Sequence, residues 1–566
     1  MRSFPRSMTS VLAIEPLSLR MRRSALPFMT VLLTGFVATA CVYMFFLDPW
    51  GHDTWFHLRR LQDIEQQFGR GQFPAYLAEN VAQDRGLPVW IYYSQWVYWP
   101  AMLLTSLGAS PMVSLKLVYC AFLIVACAGC YRLLRLHTDE RGAVFVTLLF
   151  VTSNYVIGEL FVRSAYAEFL SVALMPWLLL ALHRTLLDGA WVSGVALVLL
   201  ASLTILFHLL SFMNAACALA AYAAYVAIGW RVPGRQLLRL VPLFALALGL
   251  TAFFWLPAVV ETRYVLGAKG VPTPLHETFL PAWRYFHFIS ITNLGFVLTL
   301  SAGIVAGSVL LRKNLPNVPT RRPVWPLVAG IVAYIFLTLR ASEPLYTAFP
   351  LLASTLWVWR VMFPLTLLVV ILVAGHLEAL PERLRSSTVL AAVAGLAILQ
   401  AAVVVGWDSA PYFSTRPMER QKIEEMLASG GGAMKGFGID EYLPDPQVVP
   451  RPSEECGAIR DVVPEGRYEM RFVVADGDAD ACIHIPRYWN VRYAASIDGE
   501  PMPVYANADQ EVLLVPGRRT GQVSVRFIRP AHVTLSLLVS SITAAFVLFR
   551  VASPRFSRRS ASAVLP

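Results

Sequence analysis

The sequence predicts a polytopic α-helical membrane protein of about 12 spans, with a small external β domain before a final membrane span. Three observations carry this prediction. The chain of 566 residues is 57% hydrophobic and only 15% charged, far more apolar than a soluble globular protein. Its apolar residues fall in blocks of roughly 17 to 23, the length that crosses a bilayer. From 407 to 530 the composition changes to that of a soluble domain.

Residues 1–25 read as a cytoplasmic N-terminus, because Arg20, Arg22 and Arg23 precede the first apolar run and keep that end inside. Outward spans are expected at 26–47, 142–158, 190–207, 237–256, 324–339 and 388–406. Inward spans are expected at 112–131, 169–186, 209–228, 289–311, 361–378 and 531–551. Basic residues collect between alternate spans, as at Arg132, Arg135 and Arg141, so the net charge of +11 is a topology signal. Nucleic acid is excluded as a partner on that ground.

Residues 26–406 form the transmembrane domain, with an external loop at 48–111. In that loop 54–68 sets Leu58, Leu61, Ile64 and Phe68 on one helical face, which suits a helix lying in the membrane interface. The Trp- and Tyr-rich stretch 87–107 suits headgroup level, with a short extra span as the alternative.

Residues 407–530 read as an external, periplasmic β domain. Its Gly-rich loop 430–438 lacks the order of a phosphate-binding P-loop. Strands are expected at 468–474, 490–497, 511–515 and 522–528, antiparallel, with turns at Asp498-Gly499 and Pro516-Gly517. Residues 531–566 carry the last span and a basic cytoplasmic tail. Cys456 and Cys482 are the only cysteines of the β domain and lie in an oxidising place, either as a disulfide or as two thiols. The five others sit in apolar spans, where packing is the default, and Cys127-x-x-Cys130 has neither a second pair nor a histidine for zinc.

Chemistry-bearing residues gather at the outer end. Asp53 follows the first span, with His52, His57 and Arg60 around it. It is either a helix N-cap or a site for chemistry on lipid-linked substrates. Arg163, Tyr166 and Glu168 share one short loop, while His208, Glu261 and Arg360 lie at other outer edges. The structural alternative is that Arg163 and Glu168 pair with each other or mark a span end, and that Arg360 neutralises a headgroup. An ionisable residue near bilayer depth is by default a functional hypothesis.

Gly51-His52-Asp53-x-x-Phe56-His57-Leu58, then Gly71-Gln72-Phe73-Pro74 and Arg163-x-Ala165-Tyr166-Ala167-Glu168, resembles the bacterial membrane family named as 6-pyruvoyl-tetrahydropterin synthase-related. Arg487-Tyr-Trp-Asn-Val491, with Ile497-Asp-Gly499 and Val515-Pro-Gly517, is similar to the outer β domain of YfhO-like proteins. Both resemble GT-C glycosyltransferases, polytopic enzymes that use polyprenyl-phosphate sugars. The resemblance implies a GT-C-like fold in which an acid after the first span acts as base, here Asp53, with Glu168 as the second catalytic candidate. Substrate binding then falls to His52, His57, Arg60, Arg163, Tyr166, His208, Glu261 and Arg360. Many relatives carry two adjacent acids or a DxD at the first position, where this chain has a single Asp, so a divalent metal stays open as a cofactor but has no ligand set to support it. No metal-ligand set appears and no cofactor is implied with certainty.

The implied activity is transfer of a sugar from a polyprenyl-phosphate carrier to a glycan, lipid or protein acceptor, on the outer face of the bacterial cytoplasmic membrane. One rival is a non-catalytic lipid- or glycan-binding or assembly protein of the same fold. Another is a transporter of lipid-linked glycans, disfavoured because the charges lie at the outer edge and not at midplane.

Overall fold

The computed structural model describes residues 25–46, 51, 53–78, 85–269, 275–281, 300–307, 322–349, 352, 358–406 and 442–552, the last without 454–455, 457, 464–467 and 476–480. The expectations for residues before 25, His52, the Gly-rich loop 430–438 and the tail after 552 lie outside these residues.

Apolar length builds the helices. The first, α1 (Ala25–Phe46), carries no charge over 22 residues, and a rise of ~1.5 Å per residue makes it long enough for a ~30 Å hydrocarbon core. After it come α2 (Thr54–Gly69), α3 (Trp99–Ser106), α4 (Pro111–Leu134), α5 (Glu140–Val151), α6 (Tyr166–Leu187), α7 (Trp191–Phe207) and α8 (Leu209–Gly229). The rest are α9 (Gly234–Leu250), α10 (Ala252–Glu261), α11 (Trp325–Thr338), α12 (Val358–Leu377), α13 (Ser387–Gly406) and α14 (Ala531–Ala552).

Among the described residues six helices are long and apolar enough to cross a membrane, or up to nine spans if each bent pair counts as one. The bends are 50° after α5, 76° between α9 and α10, and 90° after α11. The expected total of about 12 is therefore not reached among them. α7, with 17 residues, falls short of a full span, two expected spans (142–158 and 237–256) are bent within their length, and 289–311 is described only at 300–307. No extra span exists at 87–107, where Val89–Tyr92, Gln95–Tyr98 and α3 are all too short.

Burial separates centre from rim. In α6 and α12, 83% of the spanning window is buried in the protein, against 17% in α14, which leaves its sides to lipid. Small residues let the central helices touch: a Cβ at Gly129 of α4 would meet the Trp177 ring of α6 at 2.5 Å. The same indole donates to the Val125 carbonyl at 2.8 Å.

The α2 helix departs from the interfacial expectation. Leu58, Leu61 and Ile64 are buried as the periodicity predicts, but so are Asp63 and Gln67 on the polar side. Trp90 Nε1 donates to Asp63 Oδ2 at 2.7 Å, and Gln67 Nε2 donates to the same oxygen at 2.7 Å. Protein thus covers parts of both faces, while Phe68 of the expected apolar face is exposed.

The C-terminal unit has eight strands: β1 (Ile459–Asp461), β2 (Glu469–Val474), β3 (Cys482–Tyr488), β4 (Tyr493–Ile497), β5 (Glu500–Met502), β6 (Val504–Ala506), β7 (Glu511–Leu514) and β8 (Gly521–Phe527). They form two four-stranded sheets, ordered β1-β3-β7-β6 and β2-β8-β4-β5. One pair departs from the antiparallel expectation: β1 runs parallel to β3. The β4–β5 hairpin turns on Asp498 and Gly499, both at positive φ (47° and 87°), as a tight two-residue turn requires. Cys456 and Cys482 are joined in a disulfide that ties the segment before β1 to the start of β3.

This unit is docked firmly on the helical part. Leu77, from the loop after α2, is fully buried in the core formed by Met470, Ile483, Val512 and Val525. Arg85 Nη1 reaches Glu511 at 2.5 Å. Arg492 grips both oxygens of Glu261 at 3.0 Å through Nε, and His532 of α14 lies 2.6 Å from Oε1 of the same carboxylate.

Candidate functional site

Two turns far apart in sequence are stapled together, and the staple places the site. The Asp53 N–H donates to the Arg163 carbonyl at 2.8 Å. The Gly51 N–H donates to Thr54 Oγ1 at 3.0 Å and to Ser164 Oγ at 3.2 Å. Only glycine fits at 51, since a Cβ would meet the Arg163 carbonyl carbon at 2.6 Å. Ser164 takes a left-handed φ of 54°, uncommon for a side-chain-bearing residue and characteristic of functional turns.

Asp53 stands at the N-cap position of α2, but its side chain makes no capping hydrogen bond. Its Oδ2 instead faces Arg163 Nη2 at 3.4 Å, and 36% of its side chain is exposed. The Arg163 guanidinium is the hub. Its Nη1 reaches Glu159 Oε1 at 2.5 Å and Glu168 Oε2 at 3.0 Å, and its carbon lies 4.6 Å from the Trp359 ring centre. Glu168 also receives the Tyr155 hydroxyl at 2.5 Å, and Arg360 Nε approaches it at 3.5 Å.

The local sequence explains the convergence. A π-helical turn over Gly158–Val162 sets Glu159 four residues before Arg163, on its side. Glu168 lies in the first turn of α6, where the helix dipole favours an anion. Trp359 and Arg360 come from the first turn of α12. Glu159, Glu168 and Arg163 are all buried, so Asp53 is the member of the cluster open to an incoming molecule.

Several residues singled out in the sequence have partners within the protein. His57 Nε2 accepts the Tyr166 N–H at 3.1 Å, so its proton is assigned to Nδ1, 2.7 Å from the Tyr98 hydroxyl. Burial first, then the charges of Arg60 and Arg163, hold its pKa well below 6.5. It is a neutral ring that ties α2 to the start of α6. Arg60 packs between the rings of Phe56 (3.4 Å) and Tyr93 (3.7 Å). Burial, reinforced by Asp53 and Glu168 and opposed by Arg60, pushes the Tyr93 hydroxyl up to about 12, so it stays protonated.

Tyr166 is fully buried and stacks on Tyr98 at 5.6 Å. His208 caps α8, accepting the Ser211 N–H at Nδ1 over 3.2 Å. Glu261 belongs to the docking of the β unit. Glu168, expected as catalytic, is engaged by two arginines and a tyrosine. His52 lies outside the described residues.

The sequence reading missed Glu159, Tyr155 and Ser164. Glu159 had a signal, since an acid four residues before an arginine at bilayer depth pairs with it on a helix. No group of three or more His, Cys, Asp or Glu among the described residues is arranged to hold a metal ion.

A family model described as 6-pyruvoyl-tetrahydropterin synthase related domain, a membrane protein, matches residues 91–414, more than half of the chain. No curated protein matches the sequence. Among solved structures the chain is similar to the arabinofuranosyltransferase AftD from Mycobacteria, with 16% identity, a TM-score of 0.44, and 66% of this chain and 27% of that one covered. It is also similar to the Archaeoglobus fulgidus oligosaccharyltransferase in its apo form, at 12% identity and a TM-score of 0.39, covering 76% of this chain and 62% of that one. The chain thus spans about a quarter of the first relative's length and under two thirds of the second's.

Proposed function

The chain belongs to the 6-pyruvoyl-tetrahydropterin synthase-related family of membrane proteins, and we propose that it is a glycosyltransferase of the membrane's outer face. The donor is a polyprenyl-phosphate sugar. The acceptor is a glycan, lipid or protein hydroxyl presented from the external side of the bacterial cytoplasmic membrane. The observation that carries this reading is Asp53, an exposed carboxylate held by a buried ion-pair cluster immediately after the first span.

With Oδ2 turned to Arg163, Oδ1 is left for the acceptor hydroxyl. Asp53 takes the proton as that oxygen bonds to the anomeric carbon, and the bond from that carbon to the lipid phosphate oxygen breaks. The departing phosphate carries the charge away and is met by Arg360, whose planar fork suits two phosphate oxygens. Arg163 is committed to three carboxylates and keeps Asp53 in place. Direct displacement inverts the anomeric configuration. The β unit, anchored to the Asp53 loop through Leu77 and Arg85, holds the acceptor.

The test is Asp53→Asn, which keeps size and capping ability but not basicity. Membranes carrying it are given a panel of polyprenyl-phosphate monosaccharides, and product is followed by mass spectrometry. Transfer is expected to fall by about two to four orders of magnitude. Full product from the variant would end the catalytic assignment and favour the binding-protein reading.

A further inference from the structure

We infer that the cavity between α2 and α3 is a lipid site separate from the Asp53 cluster, and that its ligand is a phospholipid with a primary ammonium headgroup, of the phosphatidylethanolamine type. The cavity holds about 530 Å³, within the range of pockets that take small molecules. Phe68, Trp99, Met102 and Leu103 give it apolar walls, and Glu65, Thr105 and Ser106 add polar atoms. Glu65 lies about 18 Å of helix rise beyond Asp53 along α2, and no member of the Arg163 cluster lines the cavity.

Position decides the kind of occupant. The α3 helix packs on α4, one of the helices long enough to cross a membrane. Trp99, Leu103 and Leu107 are 41%, 63% and 77% exposed, and Val113, Leu117 and Ile124 continue the exposed apolar surface into α4. Such a surface beside a spanning helix faces acyl chains and not water. Trp99 stacks on Trp96 at 4.7 Å and lies 5.5 Å from Phe73, an aromatic group of the kind found at headgroup depth.

Charge then selects the headgroup. Glu65 is the charged member of the lining, and the Thr105 hydroxyl donates to its Oε1, which fixes the carboxylate on the wall. An anionic lipid, the proposed polyprenyl-phosphate donor included, would set its phosphate against that carboxylate. A primary ammonium finds acceptors in the carboxylate and in the Thr105 and Ser106 oxygens, and the Trp99 face attracts it as well. A choline headgroup has no N–H to donate to those oxygens. Arg70 follows Gly69 at the end of α2 and is exposed, a cation for the phosphate of the same zwitterionic lipid.

The experiment counts lipids bound to the full-length protein in detergent by native mass spectrometry. The probes are dioleoyl-phosphatidylethanolamine, the phosphatidylcholine and phosphatidylglycerol with the same chains, and undecaprenyl phosphate. Wild type is expected to retain one phosphatidylethanolamine in about fivefold preference to the choline and glycerol lipids, the scale of a single ion pair. Glu65→Gln keeps the size of the side chain and is expected to bring the three lipids to parity. Ser106→Trp, at an exposed position, fills the cavity and is expected to lose the bound lipid. A wild type without preference would overturn the inference, as would a preference that survives Glu65→Gln or a bound lipid that survives Ser106→Trp. Undecaprenyl phosphate displaced by Ser106→Trp would also overturn it, because the cavity would then serve the donor. The wild-type comparison needs no variant, so it decides alone if a variant does not fold.

Discussion

At the end of the bundle where α4, α6 and α12 begin, Asp53, Glu159, Arg163, Glu168 and Arg360 bring formal charges together; at the other end of α4 and α6, His137, His183, Tyr222 and Tyr225 form a cluster without them. In the second cluster the Tyr222 hydroxyl lies 3.0 Å from His137 Nε2 and 3.0 Å from His183 Nδ1. A hydroxyl can donate to one such ring and accept from the other, which satisfies all three groups. Tyr225 meets the other His137 nitrogen at 3.5 Å, and Trp230 packs edge-on to His183 with Arg322 across its face. Burial, then His183 and Arg322, pushes the His137 pKa down to about 3, so the ring is neutral.

The difference teaches what separates a site from a satisfied interior. Both clusters bury polar groups, and both meet the rule that such groups find partners. The histidine cluster does so with neutral rings and hydroxyls, and its nearby charge, Arg322, lies over the Trp230 face. The arginine cluster keeps charges in a poorly solvating place, where they need one another, and leaves one carboxylate facing out. Retaining that arrangement has a cost in stability that a purely structural role does not require.

The largest effect should come from Asp53→Asn, with its loss of about two to four orders of magnitude in transfer, while Tyr222→Phe at the opposite end leaves transfer unchanged. Equal losses from the two would erase the contrast. Next is Arg163→Ala, which strands Glu159 and Glu168 and should lower stability by about 3–5 kcal/mol in thermal unfolding of the detergent-solubilised protein. Tyr222→Phe removes one hydroxyl from two histidines and should cost about 1–3 kcal/mol in the same measurement. A costlier tyrosine than arginine would mean the charged cluster is less desolvated than its burial indicates.

The smallest effect is in pH dependence. His137 has a folded pKa below its ordinary 6.5, so its contribution is complete above pH 6.5 and is lost as pH falls toward 3. The ring keeps some surface open, which places the loss between pH 7 and 5 at about 1 kcal/mol. His137→Gln should remove that part of the slope, read as the difference between wild-type and variant unfolding temperatures at the two pH values. An unchanged difference would show that the ring is already solvated.

The spans and the longer strands were legible because each obeys a period or a length that physics imposes. A bilayer demands about 20 apolar residues per helix, and a half-buried strand alternates, as β2, β4 and β8 do. β3 escaped because Pro486 lies where its register with β7 shifts, between Ile485 and Tyr488. β5 and β6 are three residues each, too short to show alternation. At the site, the residue types and their common end of the bundle were readable, but partner choice was not. His57 turned inward to Tyr166, Arg60 went to two rings, and Glu261 went to Arg492 in the β unit. Such pairings join residues distant in sequence and leave no periodic trace.

Leu77 has a consequence in time. It fills a core otherwise made of residues from 470 onward, and it belongs to the loop that follows the first span. Synthesis at ~5–20 residues per second brings that loop out of the ribosome about 20–90 s before β7 and β8 exist. During that interval Leu77 has no pocket, Arg85 has no Glu511 and Glu261 has no Arg492. The helices therefore insert around an unfinished loop, and the last strands translated complete one of the first segments made. A chain stalled before Arg492 leaves a hydrophobic side chain and an acid without the partners that bury them in the finished fold.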